Sequence, residues 1–139
     1  MFLSLQTFTS GALSAMSNAY LYRDVNFSFN DFPMTTISKD NNYLTLINVF
    51  KVAPENQQKL VELLIHATES VKNISGFISS SLHRSMDGTR VTMYAQWRSQ
   101  DDYNRMRANP SASPFLDQAL QMATFEPGMY EVVETFTGL

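Results

Sequence analysis

Trp97, Tyr103 and Asn48 are the residues whose types and spacing best suit chemistry. An indole N–H is a pure donor, a phenol donates or accepts, and an amide does both. Trp97 closes a predicted strand, and Tyr103, six residues later, opens the helix that follows. Both rings are therefore expected over the same space, with an N–H and an O–H directed into one cavity. Asn48 falls in phase with Leu44 and Phe50 on the apolar face of an earlier strand, where a buried amide must find water, backbone or ligand. On the strand between them, Ser79, Ser81 and His83 share one phase and leave room for a ligand if that phase faces the helices. Met93, His83 and Met106 complete the expected contacts to a bound molecule.

Each of these residues also has a plainer reading. Trp97 and Tyr103 can be core aromatics with satisfied polar tips, Asn48 can hold a structural hydrogen bond, and His83 can be a surface residue beside a turn. His66 shares the solvent stripe of its helix with Glu62 and Glu69.

Composition removes several kinds of site. The chain has no cysteine, which excludes disulfides, thiolate metal sites and a cysteine nucleophile. Its two histidines are not at ligand spacing, and no His/Asp/Glu cluster has the form of a metal site. No phosphate loop, dinucleotide-binding glycine pattern or Ser/His/Asp arrangement is present. A net charge of −3 offers no general attraction to nucleic acid or anionic membranes. No run approaches the roughly 18 apolar residues of a spanning helix, and the first basic residue is Arg23, so residues 1–19 lack the charged start of a secretory signal. A cytoplasmic protein without membrane or nucleic-acid partners is expected.

The elements that must position the site are legible from Tyr43 onward. At 139 residues one domain is expected. Residues 1–42 read as an N-terminal extension, and 43–139 as the domain. Residues 1–33 are rich in Ser, Asn and Phe but show no period, and Met34 is an alternative start. Tyr43–Val52 alternates as a strand. Pro54 and Glu55 open a helix in which Leu60, Leu64, Ala67 and Val71 recur at helical spacing as far as Asn73. Phe77–Arg84 and Thr89–Trp97 form a hairpin around Asp87-Gly88, a pair suited to positive φ angles. Ser99 caps a helix from Gln100 to about Arg107, a second helical piece runs Pro114–Met122, and Gly128 leads into a last strand, Met129–Phe136.

This order, β-α-β-β-α-β, is the α+β ferredoxin-like plan: a four-stranded antiparallel sheet with helices on one face. Tyr43, Ile47 and Val49 lie on the opposite face and leave an apolar patch that a second copy would bury, so a homodimer is expected.

Over about Tyr43 to Phe136 the chain resembles the antibiotic biosynthesis monooxygenase superfamily of dimeric α/β-barrel proteins. The resemblance rests on Leu46-Ile-Asn-Val-Phe50, Asp87-Gly-Thr-Arg-Val91, Tyr94-Ala-Gln-Trp-Arg-Ser99 with Tyr103, and Ala123-Thr-Phe-Glu-Pro127 before Tyr130-Glu-Val132. It implies sheets closing into a barrel across a dimer, with a pocket in each subunit. It also implies oxidation of a small aromatic substrate (a quinol, anthrone or polyphenol) by molecular oxygen, with no flavin, haem or metal. Trp97 and Tyr103 match the family's substrate-contacting pair. Where polyketide oxygenases of the family place Asn four residues before the Trp, this chain has Met93. Where some carry a helical Arg it has Leu116 or Asp117, and Asn48 is the substitute at hand. A haem-degrading branch uses a His on the helix Pro114–Met122, which here contains none. The alternative on the same fold is a noncatalytic small-molecule-binding or structural dimer.

Overall fold

A computed structural model describes residues 34–110 and 114–139. Of the N-terminal extension 1–42, residues 1–33 lie outside the described residues. Strand β1 spans Leu44–Val52, helix α1 Gln57–Val71, β2 Phe77–Arg84, β3 Arg90–Trp97, α2 Gln100–Arg107, α3 Pro114–Leu120, β4 Ala123–Glu126 and β5 Met129–Tyr130. The sheet is antiparallel in the order β2-β3-β1-β4, and β5 continues the β4 side by pairing with the first half of β1. This is the ferredoxin-like order expected from the sequence.

Period two in β1 explains which face is buried. Leu46, Asn48, Phe50 and Val52 are buried, and Phe50 and Val52 pack with Leu60 and Leu64 of α1, Val91 of β3 and Ala119 of α3. A second cluster, Leu46, Ala95 and Trp97, gathers Phe77, Tyr103 and Met106 around it. Met93 packs against both clusters. The space between them is where the site lies.

The end of the sheet differs from the sequence expectation of one strand over Met129–Phe136. The strand beside the second half of β1 is Ala123–Glu126, anchored by Phe125, whose ring stacks on Phe50 with centroids 4.8 Å apart. Gly128 then interrupts the edge, its carbonyl accepting from the Ile47 N–H at 3.0 Å, and only Met129 and Tyr130 pair again. Residues 131–139 have no strand neighbour, and Val133 and Phe136 are exposed.

The β2–β3 turn also differs in detail. Only Gly88 takes a positive φ (+80°), while Asp87 instead ties the loop as an acceptor from the Ser85 hydroxyl (2.7 Å), the Thr89 hydroxyl (2.7 Å) and the Thr89 N–H (2.9 Å). These donors hold the Asp87 carboxyl down at about 2, the Ser85 hydroxyl contributing most.

Residues 34–42 lie against the sheet face away from the helices. The Gln96 amide donates to the Thr36 carbonyl at 2.8 Å, while its own oxygen accepts from Ser79 at 2.8 Å. Lys39 meets Glu134 at 2.9 Å. That face is thus polar around Gln96 and Thr45, both buried, and apolar around the half-buried Ile47 and Val49.

Gly76, just before β2, has φ +93° and sits so close to α2 that a Cβ would fall 2.4 Å from the Asp102 Cβ. Its carbonyl accepts from the Arg98 N–H at 2.7 Å. Gly76→Ala is therefore expected to lose about 1–3 kcal/mol through the left-handed backbone and the forced displacement of α2. Urea unfolding followed by circular dichroism measures it.

Candidate active site

The two core clusters leave a cavity of about 180 Å³ between the sheet and the helices. Its apolar walls come from Leu46, Phe50, Leu64, Met93, Leu116 and Phe125; Asn48, Thr68, Ser80, Trp97 and Tyr103 bring polar groups to it, and Arg107, Asn109 and Asp117 also reach the wall. The strand-to-helix corner at Ser99 turns Tyr103 back over Trp97. Their rings meet edge to face with centroids 5.9 Å apart, and Phe77 holds the other side of the indole at 5.4 Å, nearly perpendicular. Trp97 is 2% exposed.

The Asn48 Oδ1 is fully buried without a hydrogen-bond partner, whereas the Thr68 hydroxyl donates to the Leu64 carbonyl at 2.9 Å. Buried polar groups in folded proteins are nearly always satisfied, so an unpartnered amide oxygen in the wall of a cavity is placed to accept from a bound ligand. The strand register adds a second point. Asn48 lies directly across from Met93 on the neighbouring strand, so the amide occupies the space beside the thioether, one strand over from where the resemblance places an Asn.

Of the six residues expected at the site, the structure brings five together: Trp97, Tyr103, Asn48, Met93 and Met106 all line the cavity. His83 does not. Between Phe77 and Ser79 the β2–β3 register slips by one residue, Phe77 pairing with Trp97 but Ser79 with Gln96. Ile78 is the extra residue of a bulge, and from that point the phase of β2 inverts. Ser79, Ser81 and His83 therefore share the face of Gln96, away from the helices. His83 is exposed, its Nε2 3.0 Å from the Ser81 hydroxyl. The same inversion brings Ser80 into the cavity, a residue that a strict period of two cannot find.

Helix α2 is held in place by one buried carboxylate. Asp102, 1% exposed, receives a forked contact from Arg98 (Nε to Oδ2 2.8 Å, Nη2 to Oδ1 2.7 Å), a bond from the Ser99 hydroxyl at 2.8 Å, and a close contact from Arg105. Its backbone N–H donates to the Ser99 Oγ at 3.1 Å, capping the helix. The guanidinium of Arg98, then the Ser99 hydroxyl and Arg105, hold this carboxyl far below its ordinary value of 3.8. A carboxylate whose folded pKa is depressed stabilises the fold fully above the unfolded value. That contribution is lost as pH falls below about 4 and on through the lowered pKa. Asp102→Asn should lower the melting temperature at pH 7, and its gap to the parent protein should close steadily below about pH 4. Thermal melts across pH check this, and a gap independent of pH would contradict it.

Among the described residues no group of three or more His, Cys, Asp or Glu is arranged to hold a metal ion, and no helix is long and apolar enough to cross a membrane.

Comparison with known proteins agrees with this geometry. The antibiotic biosynthesis monooxygenase family profile matches residues 43–118. Tetracenomycin-F1 monooxygenase of Streptomyces glaucescens is 40% identical over 104 residues, which are 74% of this chain and 93% of that one. A monooxygenase from the ActVA-Orf6 gene of Streptomyces coelicolor, solved with nanaomycin D bound, superposes with a TM-score of 0.64 at 25% identity, covering 72% of this chain and 96% of its own. SnoaB of Streptomyces nogalater, a cofactor-independent oxygenase, superposes at 0.61 with 22% identity, covering 69% of this chain and 98% of its own, and shows the shared fold. The chain belongs to the antibiotic biosynthesis monooxygenase family.

Proposed function

We propose that the protein is a cofactor-independent monooxygenase that oxidises a quinol, anthrone or polyphenol with molecular oxygen. The observation that carries this reading is the cavity in which the Trp97 indole, the Tyr103 phenol and the Asn48 amide, its Oδ1 unpartnered, converge among apolar walls. The similarity to a tetracenomycin-F1 monooxygenase and to a structure holding nanaomycin D supports a small aromatic substrate.

The chemistry needs little from the protein beyond placement and charge stabilisation. An anthrone-type substrate loses a ring-carbon proton to water at the cavity mouth and becomes an enolate. The Trp97 N–H and Tyr103 O–H donate to the developing oxyanion, favouring that ionisation in a low-dielectric space. Asn48 Oδ1 accepts from a neighbouring substrate hydroxyl and fixes the ring. The enolate passes one electron to oxygen, the two radicals combine to form a C–O bond, and protonation gives a hydroperoxide. Loss of water across the O–O bond and the remaining C–H leaves the carbonyl, so one oxygen atom enters the product and the other leaves as water. Met93 and Met106 are compliant walls that adapt to ring shape.

Oxygen uptake by the metal-stripped protein with menadiol- and anthrone-type compounds, corrected for autoxidation, tests the reading. Saturable uptake is expected. A flat trace across the panel would favour the noncatalytic binder on the same fold.

The site works within a homodimer in this reading. The sheet face carrying Ile47 and Val49, together with the exposed Met129, Tyr130, Val133 and Phe136, offers the apolar area for a second copy. Sedimentation at micromolar concentration should give a species of about twice the 15.8 kDa chain mass, and monomer alone would refute the pairing.

A further inference from the structure

Three arginines lie along and just before α2, and their commitments differ. Arg98 and Arg105 are both engaged by Asp102. Arg107, the last residue of the helix, makes no ion pair or hydrogen bond among the described residues, yet it is the only cationic side chain in the cavity wall among them. Asp117, which also reaches the wall, already has a partner. The polar groups are sorted by depth: Trp97 and Asn48 are buried at the floor, and Arg107 is exposed at the rim.

Cavity size gives this sorting a consequence. A volume of about 180 Å³ is little more than the roughly 150 Å³ that encloses one benzene. A polycyclic molecule with its reacting ring against Trp97 must therefore project its far rings past the rim. The group it meets there is an uncommitted guanidinium, whose planar fork matches a carboxylate or an ionised phenol.

We propose that Arg107 is a specificity-determining residue that selects substrates bearing an acidic group on the ring distal to the reacting one. The inference rests on the aromatic-substrate reading of the cavity, but not on the oxygen chemistry. The reacting ring is held by neutral donors at the floor, and the acidic group is held by charge at the rim. A neutral analogue of the same shape enters the cavity but lacks the second anchor.

The chain has a single tryptophan, so quenching of its fluorescence reports occupancy of the cavity directly. The test uses the full chain at low ionic strength with two oxidised, unreactive probes, an anthraquinone carboxylate and the matching carboxamide. The carboxylate should bind the parent protein more tightly. Arg107→Gln should raise its Kd about tenfold while changing that of the carboxamide less than twofold, and Arg107→Lys, which keeps charge but loses the fork, should fall between. Added salt should weaken the carboxylate alone. Equal effects of Arg107→Gln on both probes, or none on either, would overturn the proposal while leaving the cavity reading in place. Binding of neither probe would overturn both. Charge discrimination in a protein that consumes no oxygen would uphold the role of Arg107 and remove only the oxygenase reading.

Discussion

Trp97→Phe is expected to lower kcat/KM for oxygen uptake about 100-fold while leaving a folded protein. A fall of that size corresponds to about 2.7 kcal/mol of transition-state stabilisation, in the range found when one donor to a developing oxyanion is removed. Phenylalanine keeps a ring between Phe77 and Tyr103 and deletes the N–H, which has no hydrogen-bond partner among the described residues to lose. The melting temperature should therefore drop by only a few degrees. If the indole were merely a core aromatic, activity and stability would fall together and modestly. Steady-state oxygen consumption beside a thermal melt separates the two cases.

Asn48→Leu should move activity and stability in opposite directions. The Asn48 amide is 7% exposed with an unpartnered oxygen, and leaving such a group unsatisfied costs about 1–3 kcal/mol. Leucine has the same γ-branched outline, and the cavity beside it takes up its larger methyl groups on a face already occupied by Leu46 and Phe50. A gain of about 1 kcal/mol in stability is expected, together with a roughly tenfold or greater loss of turnover as the acceptor for the substrate hydroxyl disappears. A stability–activity trade-off of this kind marks a residue retained for function rather than for folding. Loss of stability in Asn48→Leu would instead assign the amide a structural role.

How far the sequence carries depends on whether a residue's role is set by local period or by contacts distant along the chain. Strands β2 and β3 and helix α2 were legible because alternation, a Ser99 cap and an Asp-Gly turn are local signals. Trp97 and Asn48 followed from phase, since nothing interrupts the period of β1 or β3, and Tyr103 from its place six residues beyond Trp97 near the start of α2. His83 and Ser80 exchanged places because one bulge at Ile78 inverts β2, and the adjacent run Phe77-Ile-Ser-Ser-Ser-Leu82 contains no glycine to announce it. The closing strand was displaced because Ala123–Glu126 is only four residues long and is fixed by the Phe125–Phe50 stack, a tertiary contact. The Asp102 network was visible only as a cap. Its two arginines come from positions three and four residues away, a spacing that many exposed helices share without burying anything.

Arg107 illustrates the same limit from the other side. In sequence it is one of three arginines in ten residues, with nothing to distinguish it. Only the commitment of the other two to a buried carboxylate, and the position of the third at the mouth of an apolar cavity, sets it apart.

In the proposed reaction the chain transfers an oxygen atom from molecular oxygen to an aromatic ring using no bound cofactor. The most direct test is a single-turnover reaction of the metal-stripped protein with an anthrone-type substrate under isotopically labelled dioxygen, with the product analysed by mass spectrometry. One labelled oxygen per product, formed faster than by autoxidation and lost in Trp97→Phe, is the expected result. Product that carries no label, or a rate that Trp97→Phe leaves unchanged, would contradict the account.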